Sequence, residues 1–171
     1  MTGEHIYRAT TIWTGASKGA TTSYDAYSRE HIVVIDGKLC LVGSADPTFR
    51  GNPALHNPED LLVSAVSACH MLSYLALCAR AGIRVVSYVD EVMGRMAPSE
   101  GKVRFTEVTL RPRVTIEPGD SLEQAQALHQ TAHETCFIAN SVAFPVQHEP
   151  IAVHATDIEE EEEFDMIREF A

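Results

Sequence analysis

The chain has 171 residues, 45% of them hydrophobic, which is enough for one domain with a substantial core. Its formal net charge of −11 disfavours nucleic-acid binding, because that function requires a basic face. The N-terminus lacks a basic segment followed by an apolar core, and the four cysteines lack the close spacing of a secreted disulfide framework. We therefore expect a cytoplasmic protein.

The first third of the chain predicts strands. Residues 6–13 alternate weakly and predict a first strand, and residues 14–22 have the composition of a turn. Residues 31–35 and 38–42 flank Asp36-Gly37, the dipeptide of a tight hairpin turn. Cys40 falls in the second strand of this hairpin, where we interpret it as a packing residue.

Residues 57–82 predict one long helix with a signal at each end. Asn57 suits the N-cap, Pro58 the first helical position, and Gly82 the left-handed stop. The helix is apolar or small on nearly every face, so we expect the protein to enclose it. Its Ser, Cys and His residues argue against a membrane span. One sheet from a chain of this size offers too little cover, which predicts a second subunit.

The remaining elements alternate between strand and helix. Residues 85–96 and 103–116 predict two long strands around a turn at 97–102, and Pro112 predicts an edge strand or a bulge. Ser121 opens a capping box and a second helix whose apolar stripe ends at Cys136, pointing inward. Residues 144–153 predict a last strand, followed by an acidic tail that is either solvated or docked on a partner. This order predicts an α+β domain with antiparallel pairing.

The two most informative cysteines lie in separate motifs. Cys69 sits in the first helix within NPEDLLVSAVSACH, ten residues after Glu59, and Cys136 begins CFIANSV. Cys78 lies on the opposite helical face from Cys69, as expected of a packing residue. The two motifs together resemble the OsmC/Ohr family of thiol peroxidases, and the resemblance extends over residues 10–153.

The resemblance implies a fold, an assembly and a site. The fold would be OsmC-like, with antiparallel sheets wrapped around long central helices in an intertwined homodimer, a single domain at residues 1–155 and an acidic tail at 156–171. Cys69 would attack a hydroperoxide and then form a disulfide with Cys136, which a dithiol or a lipoylated protein would reduce. No cofactor is implied.

Activation of Cys69 requires a cation, because the thiol lies about three turns into its helix and the dipole effect fades within the first turn. The resemblance implies an arginine held by Glu59. Arg29 is our first choice for it and Arg50 the second, with Lys18 a weaker third.

Several alternatives remain open at this stage. The pair Cys69 and Cys136 also fits a non-enzymatic redox-sensing or ligand-binding protein. The pair Cys69 and His70 would fit an acyl-transferring hydrolase, but the side chains of helical neighbours point about 100° apart. A zinc site is a third reading, because one helical face carries two histidines and a cysteine. An apolar approach to the site would favour organic hydroperoxides. The zinc hypothesis concerns His129, His133 and Cys136. The residues that would line an apolar approach to the site are Trp13, Phe137, Ile138 and Phe144.

Overall fold

The computed structural model describes residues 3–157, and within it the chain divides into two compact units between Leu62 and Val63. The first helix crosses this boundary, and each unit has its own sheet structure. The predicted acidic tail at 156–171 lies almost wholly outside the described residues. The predicted domain limits therefore stay a prediction.

The first unit contains one antiparallel three-stranded sheet. Its strands are β1 (Thr10–Trp13), β2 (His31–Val34) and β3 (Leu41–Gly43), in the order β1-β2-β3. The predicted hairpin is confirmed, with Gly37 at a φ of 74° in its turn. Cys40 is not in the second strand as predicted; it lies just before β3 and is exposed.

A tightly bonded loop leads from this sheet to the first helix. The Asp46 side chain accepts a hydrogen bond from the Thr48 N–H and caps a short 3-10 helix. Gly51 lies so close to the backbone of Ala45 that a Cβ at this position would overlap the Ala45 carbonyl oxygen. The loop therefore requires glycine at residue 51 for a steric reason.

Helix α1 spans Pro58–Ala81, as its predicted end signals indicated. Asn57 and Asp60 exchange side-chain-to-backbone hydrogen bonds of 2.8 and 3.2 Å at its start, and Gly82 ends it with a φ of 75°. Its buried residues follow one face at a spacing of four: Val66, His70, Tyr74 and Cys78.

A single chain leaves part of α1 uncovered, as expected from the small cover that one sheet offers, and enclosure of the helix by a second subunit stays a prediction. Leu72, on another face, is 63% exposed, because the sheets of one chain cover one side of the helix only. By length and composition α1 would also suffice to cross a membrane. One such helix is weak evidence, since the core helix of a soluble protein passes the same test.

The second unit has two three-stranded sheets and one further helix. The strands are β4 (Val85–Asp90), β5 (Met93–Ser99), β6 (Lys102–Leu110), β7 (Pro112–Ile116), β8 (Val146–His148) and β9 (Ile151–His154). One sheet has the order β4-β7-β9 and the other β5-β6-β8. Helix α2 (Leu122–Thr135) lies between β7 and β8 in sequence, and Ser121 caps it by accepting a hydrogen bond from the Gln124 N–H.

Three predictions about these strands are wrong. Each predicted long strand is two strands in different sheets, with the breaks at residues 91–92, 111 and 149–150. Pro112 lies in β7, the central strand of its sheet, and not in an edge strand. Its missing N–H falls next to the second break. At that break the Arg111 N–H donates a hydrogen bond to the Asp90 side chain rather than to the backbone of a neighbouring strand. Strands β8 and β9 pair in parallel with β6 and β7, so the pairing is mixed.

Two hydrophobic clusters fill the second unit. One joins Tyr74 and Cys78 of α1 to Val114 and Ile116 of β7 and to α2. The other joins Val66 of α1 to β6. The predicted apolar face of residues 108–116 is therefore buried, and α1 provides the common wall of both clusters.

Candidate functional site

Cys69 and Cys136 lie side by side in the second unit. The Cys69 side chain is close enough to Cys136 to raise the pKa of the Cys136 thiol, and both are free thiols. Cys69 is half-buried in the middle of α1, whereas Cys136 is fully buried at the C-cap of α2. Two helices thus bring together thiols that are 67 positions apart in sequence.

The backbone after α2 surrounds the Cys136 sulfur. Burial raises the pKa of Cys136 to about 11, and the Cys69 thiol acts in the same direction. The backbone N–H groups of Ala139 and Ile138 oppose the shift by donating hydrogen bonds to the sulfur. Cys136 is consequently a protonated thiol at neutral pH, held in a turn that carries donors for a thiolate.

The two helices that carry the thiols also contribute to a cluster of four histidines, which we call the histidine cluster: His70 of α1, His129 and His133 of α2, and His148 at the end of β8. His70 Nε2 and His129 Nδ1 are hydrogen-bonded at 3.2 Å, and the His133 and His148 ring centroids are 4.8 Å apart. The His70 and His148 centroids are 5.9 Å apart, which joins the two pairs.

Burial lowers the pKa values of three histidines of this cluster. It lowers the pKa of His70 to about 4 and that of His129 to about 3, and the neighbouring imidazoles act in the same direction. The pKa of His148 is also lowered by burial. In the described part of the chain, four ring nitrogens of the cluster are buried without a hydrogen-bond partner: His70 Nδ1, His129 Nε2, His133 Nδ1 and His148 Nδ1.

Two further polar groups flank the thiols. The Tyr88 hydroxyl is buried without a described partner, and burial raises its pKa, with the charges of Asp90 and Cys136 adding to the effect. Asp90 accepts a hydrogen bond of 2.5 Å from the Ser67 hydroxyl and one of 2.7 Å from the Arg111 N–H. Asp90 therefore ties α1 to the point where the strands change sheets.

The cations predicted to activate Cys69 belong to the first unit. Arg29 donates hydrogen bonds of 2.5 Å to the carbonyls of Tyr24 and Tyr27, and its guanidinium lies 3.9 Å from the Tyr27 ring centroid. Arg50, in a left-handed conformation with φ of 65°, forms an ion pair of 2.9 Å with Asp25. Arg29 is thus held by neutral groups.

Glu59 and Lys18 have different surroundings. Glu59 is half-buried in the first turn of α1, where a carboxylate complements the helix dipole. Lys18 forms an ion pair of 2.9 Å with Glu30, whose pKa it lowers. Within the first unit as described, no ion pair joins Glu59 to Arg29 or Arg50, so the arginine that the resemblance implies stays a prediction.

The residues predicted to line an apolar approach divide into two groups. Ile138 and Phe144 pack against the cluster around Val66, so they are core residues. Phe137 is 65% exposed directly after Cys136, and Trp13 is partly exposed in the first unit, where its indole N–H donates to the Ser28 carbonyl. In the second unit, Phe137 alone of the predicted group remains available to a ligand.

The histidine cluster is the feature that sequence reasoning missed. The sequence suggested His70 for a hydrolase and His133 for a zinc site, and His148 had no local signal. The spacing of His129, His133 and Cys136 suggested zinc. Among residues 3–157, however, no group of three or more His, Cys, Asp or Glu side chains is placed to hold a metal ion.

Comparison with known proteins identifies the family of this α+β protein. A family model described as OsmC-like protein matches residues 51–150. A solved structure of an OsmC-like protein of unknown function from Vibrio cholerae is 36% identical, with a TM-score of 0.79, over 86% of this chain and 100% of that one. The chain therefore belongs to the OsmC-like family.

More distant structures share the fold. An organic hydroperoxide resistance protein from Elizabethkingia anophelis is 21% identical over 90% of this chain and 99% of that one, with a TM-score of 0.65. An OsmC-like protein from Mycoplasma pneumoniae is 16% identical over 90% of this chain and 100% of that one, with a TM-score of 0.67. No curated protein matches the chain.

Proposed function

We propose that this protein is a thiol peroxidase that reduces organic hydroperoxides through Cys69 and Cys136. The observation that carries the proposal is the proximity of these two free thiols, which come from separate helices of the second unit. Family membership and the name of the Elizabethkingia structure support the same chemistry.

The proposed cycle has three balanced steps. The Cys69 thiolate attacks the O–O bond of the hydroperoxide, and with one proton this releases an alcohol and leaves a sulfenic acid on Cys69. The Cys136 thiol then attacks the Cys69 sulfur, forming the disulfide and releasing water. A dithiol reductant, such as a lipoylated protein, returns both cysteines to thiols and is itself oxidised to a disulfide.

The two cysteines differ in the properties that each role requires. The attacking group must reach the substrate and must ionise. Cys136 is fully buried, and burial raises its pKa to about 11, so it fits the second role. Cys69 is half-buried on α1, and we assign the attack to it.

A cation near Cys69 would complete the site. We propose Arg29 for this role, because its guanidinium is fixed by carbonyls and an aromatic ring and keeps its charge available for a thiolate. Arg50 is the second candidate, with Asp25 already sharing its charge. Glu59 would orient the arginine. Replacing Arg29 by Gln should slow alkylation of Cys69 by iodoacetamide at pH 7, whereas Arg50→Gln should leave the rate unchanged.

A homodimer is part of the proposal. Leu72 and the small residues beside it leave an apolar face of α1 uncovered in one chain, and burial of such a face favours association. Analytical ultracentrifugation should give a dimer, and Leu72→Glu should shift it toward monomer by placing a charge in the interface.

The peroxidase assay compares cumene hydroperoxide consumption with dihydrolipoamide as reductant. Cys69→Ser should abolish turnover, and Cys136→Ser should stop it after one equivalent. Cys40→Ser is the matched control, because Cys40 is exposed in the first unit and should leave turnover unchanged. Undiminished turnover in Cys69→Ser would refute the proposal.

The same assay tests the second candidate function, a non-enzymatic redox sensor. The proximity of two free thiols supports the redox sensor equally, because a disulfide can form without any catalytic turnover. Stoichiometric formation of the Cys69–Cys136 disulfide, with no reduction by any dithiol, would select the sensor.

A further inference from the structure

Cys69 and Cys136 differ in how closely an external thiol can approach them. Cys136 is fully buried, whereas Cys69 is half-buried in the middle of α1. The rate of thiol–disulfide exchange depends on which of the two sulfurs the incoming thiolate attacks and on access to that sulfur. Once the two cysteines have formed a disulfide, the difference in exposure therefore favours attack at Cys69.

The turn that follows α2 holds Cys136 in its buried position. The Asn140 N–H donates to the Cys136 carbonyl at 3.0 Å, and the Ser141 N–H donates to the Ile138 carbonyl at 3.0 Å. The side-chain amide of Asn140 also donates, at 2.9 Å, to the Glu134 carbonyl in the last turn of α2. The turn is thus bonded both to itself and to the helix, and these bonds would have to break before Cys136 could become exposed.

The same turn carries groups that suit a departing sulfur. The backbone N–H groups of Ile138 and Ala139 donate hydrogen bonds to the Cys136 sulfur. Hydrogen-bond donors stabilise an anion more than a neutral acceptor, and donors already in place need no rearrangement when charge develops. The thiolate is short-lived, because burial raises the pKa of Cys136 to about 11 and the sulfur then takes up a proton.

We propose that the dithiol reductant attacks the Cys69 sulfur of the disulfide and that Cys136 is the leaving group, with Asn140 as the positioning residue that keeps Cys136 out of reach. This assignment rests on the proposed peroxidase cycle and specifies its third step. The covalent intermediate of that step is then a mixed disulfide between Cys69 and the reductant.

Atoms and electrons balance in this step. A thiolate of the reductant attacks the Cys69 sulfur, the new S–S bond forms, and the electron pair of the broken Cys69–Cys136 bond goes to Cys136. Cys136 takes up the proton that the second thiol of the reductant gives up. That second thiolate attacks the first sulfur of the reductant, closes the reductant's own disulfide and releases Cys69 as the thiolate. The reductant loses two electrons, and the two cysteines gain them.

A monothiol shows which sulfur is attacked. The wild-type protein is oxidised with one equivalent of cumene hydroperoxide, mixed with 2-mercaptoethanol for increasing times, quenched with acid and treated with N-ethylmaleimide. Peptide mass mapping at the earliest times should find the 2-mercaptoethanol adduct on Cys69 and the maleimide on Cys136. This product should exceed the reverse one by about tenfold or more, because access controls the exchange.

Two variants test the role of Asn140 by the same mapping. Asn140→Ala removes the bond to the Glu134 carbonyl, so the share of the adduct found on Cys136 should rise severalfold. Gln130→Ala is the matched control, because it removes a side-chain hydrogen bond to the Glu134 carboxylate on the exposed side of α2 and should give the wild-type distribution. An unchanged distribution in Asn140→Ala would overturn the role of Asn140.

The wild-type protein alone separates failure of this assignment from failure of the peroxidase cycle. If hydroperoxide produces no Cys69–Cys136 disulfide, the proposed cycle fails, and the assignment fails with it. If the disulfide forms and the early adducts lie mainly on Cys136, only the assignment of the attacked sulfur is overturned.

Discussion

Acid should destabilise this protein well above the pH at which its carboxylates titrate. His70 and His129 are fully buried, and burial lowers their pKa values to about 4 and about 3 from an ordinary 6.5. Above pH 6.5 both states of the protein hold these rings neutral. Below pH 6.5 these two histidines bind protons in the unfolded chain but not in the folded chain. The free energy of unfolding therefore falls as the pH falls.

The size of the stability loss follows from how far the pH lies below the pKa of the two histidines in the unfolded chain. At pH 5, which is about 1.5 units below the unfolded pKa and still above both folded values, each histidine contributes about 2 kcal/mol in favour of unfolding. The pair together therefore costs about 4 kcal/mol, a large share of the 5–15 kcal/mol by which domains are typically stable. The lowered pKa of His148 adds to the loss.

Urea unfolding at a fixed protein concentration, at half-unit steps from pH 7.5 to 5, measures the effect. The slope between pH 6 and 5 should approach about 2.7 kcal/mol per pH unit for two groups. His129→Gln should halve it, and His5→Gln, which replaces an exposed histidine, should preserve it. A free energy of unfolding that is flat over this range, or a slope unchanged in His129→Gln, would refute the reasoning.

Three substitutions test the packing around the site, each by urea unfolding at pH 7.5. Asp90→Asn should cost about 2 kcal/mol, because it weakens charge-assisted hydrogen bonds, and a double-mutant cycle with Ser67→Ala should recover part of that loss as coupling; additive effects would contradict the hydrogen bond. Tyr74→Phe should cost about 1 kcal/mol by removing the hydrogen bond that the Tyr74 hydroxyl donates to the Ala125 carbonyl, which keeps its donor within α2, and a neutral result would mean that the bond contributes nothing. Gly82→Ala should cost about 1 kcal/mol through its positive φ alone, since the space there is open, and any stabilisation would argue against the left-handed helix stop.

Local sequence signals were sufficient for the helix ends and the first hairpin. The Asn57 cap, the Gly82 stop and the Asp36-Gly37 turn each act over a few residues, so their chemistry is visible in the chain itself. Ser121 at the start of α2 is a further example. The α+β class followed from the order of these elements.

The strand breaks were not predictable in the same way. Residues 85–96 predicted one strand and residues 103–116 a second, although the chain changes sheets inside each range. Pro112 did mark one break, but a missing N–H indicates only that a ladder is interrupted. Which sheet receives the next strand depends on contacts such as that of Arg111 with Asp90, which join distant residues.

The candidate site likewise has a part that was expected before the structure and a part that was not. The juxtaposition of Cys69 and Cys136 was expected from a family resemblance and not from spacing. The histidine cluster draws its rings from two helices and a strand, and no periodicity connects His148 with His70. Only the tertiary fold makes these four residues neighbours.

The broken strands carry a consequence for how the second unit comes apart. Each of its three passages of chain supplies one strand to either sheet, with at most two residues between the halves. The Arg111–Glu149 ion pair of 2.9 Å spans two of these crossings. We therefore expect that neither sheet unfolds while the other stays folded. The slowly exchanging backbone amides of both sheets should then exchange with deuterium in one concerted opening, with the same free energy of opening.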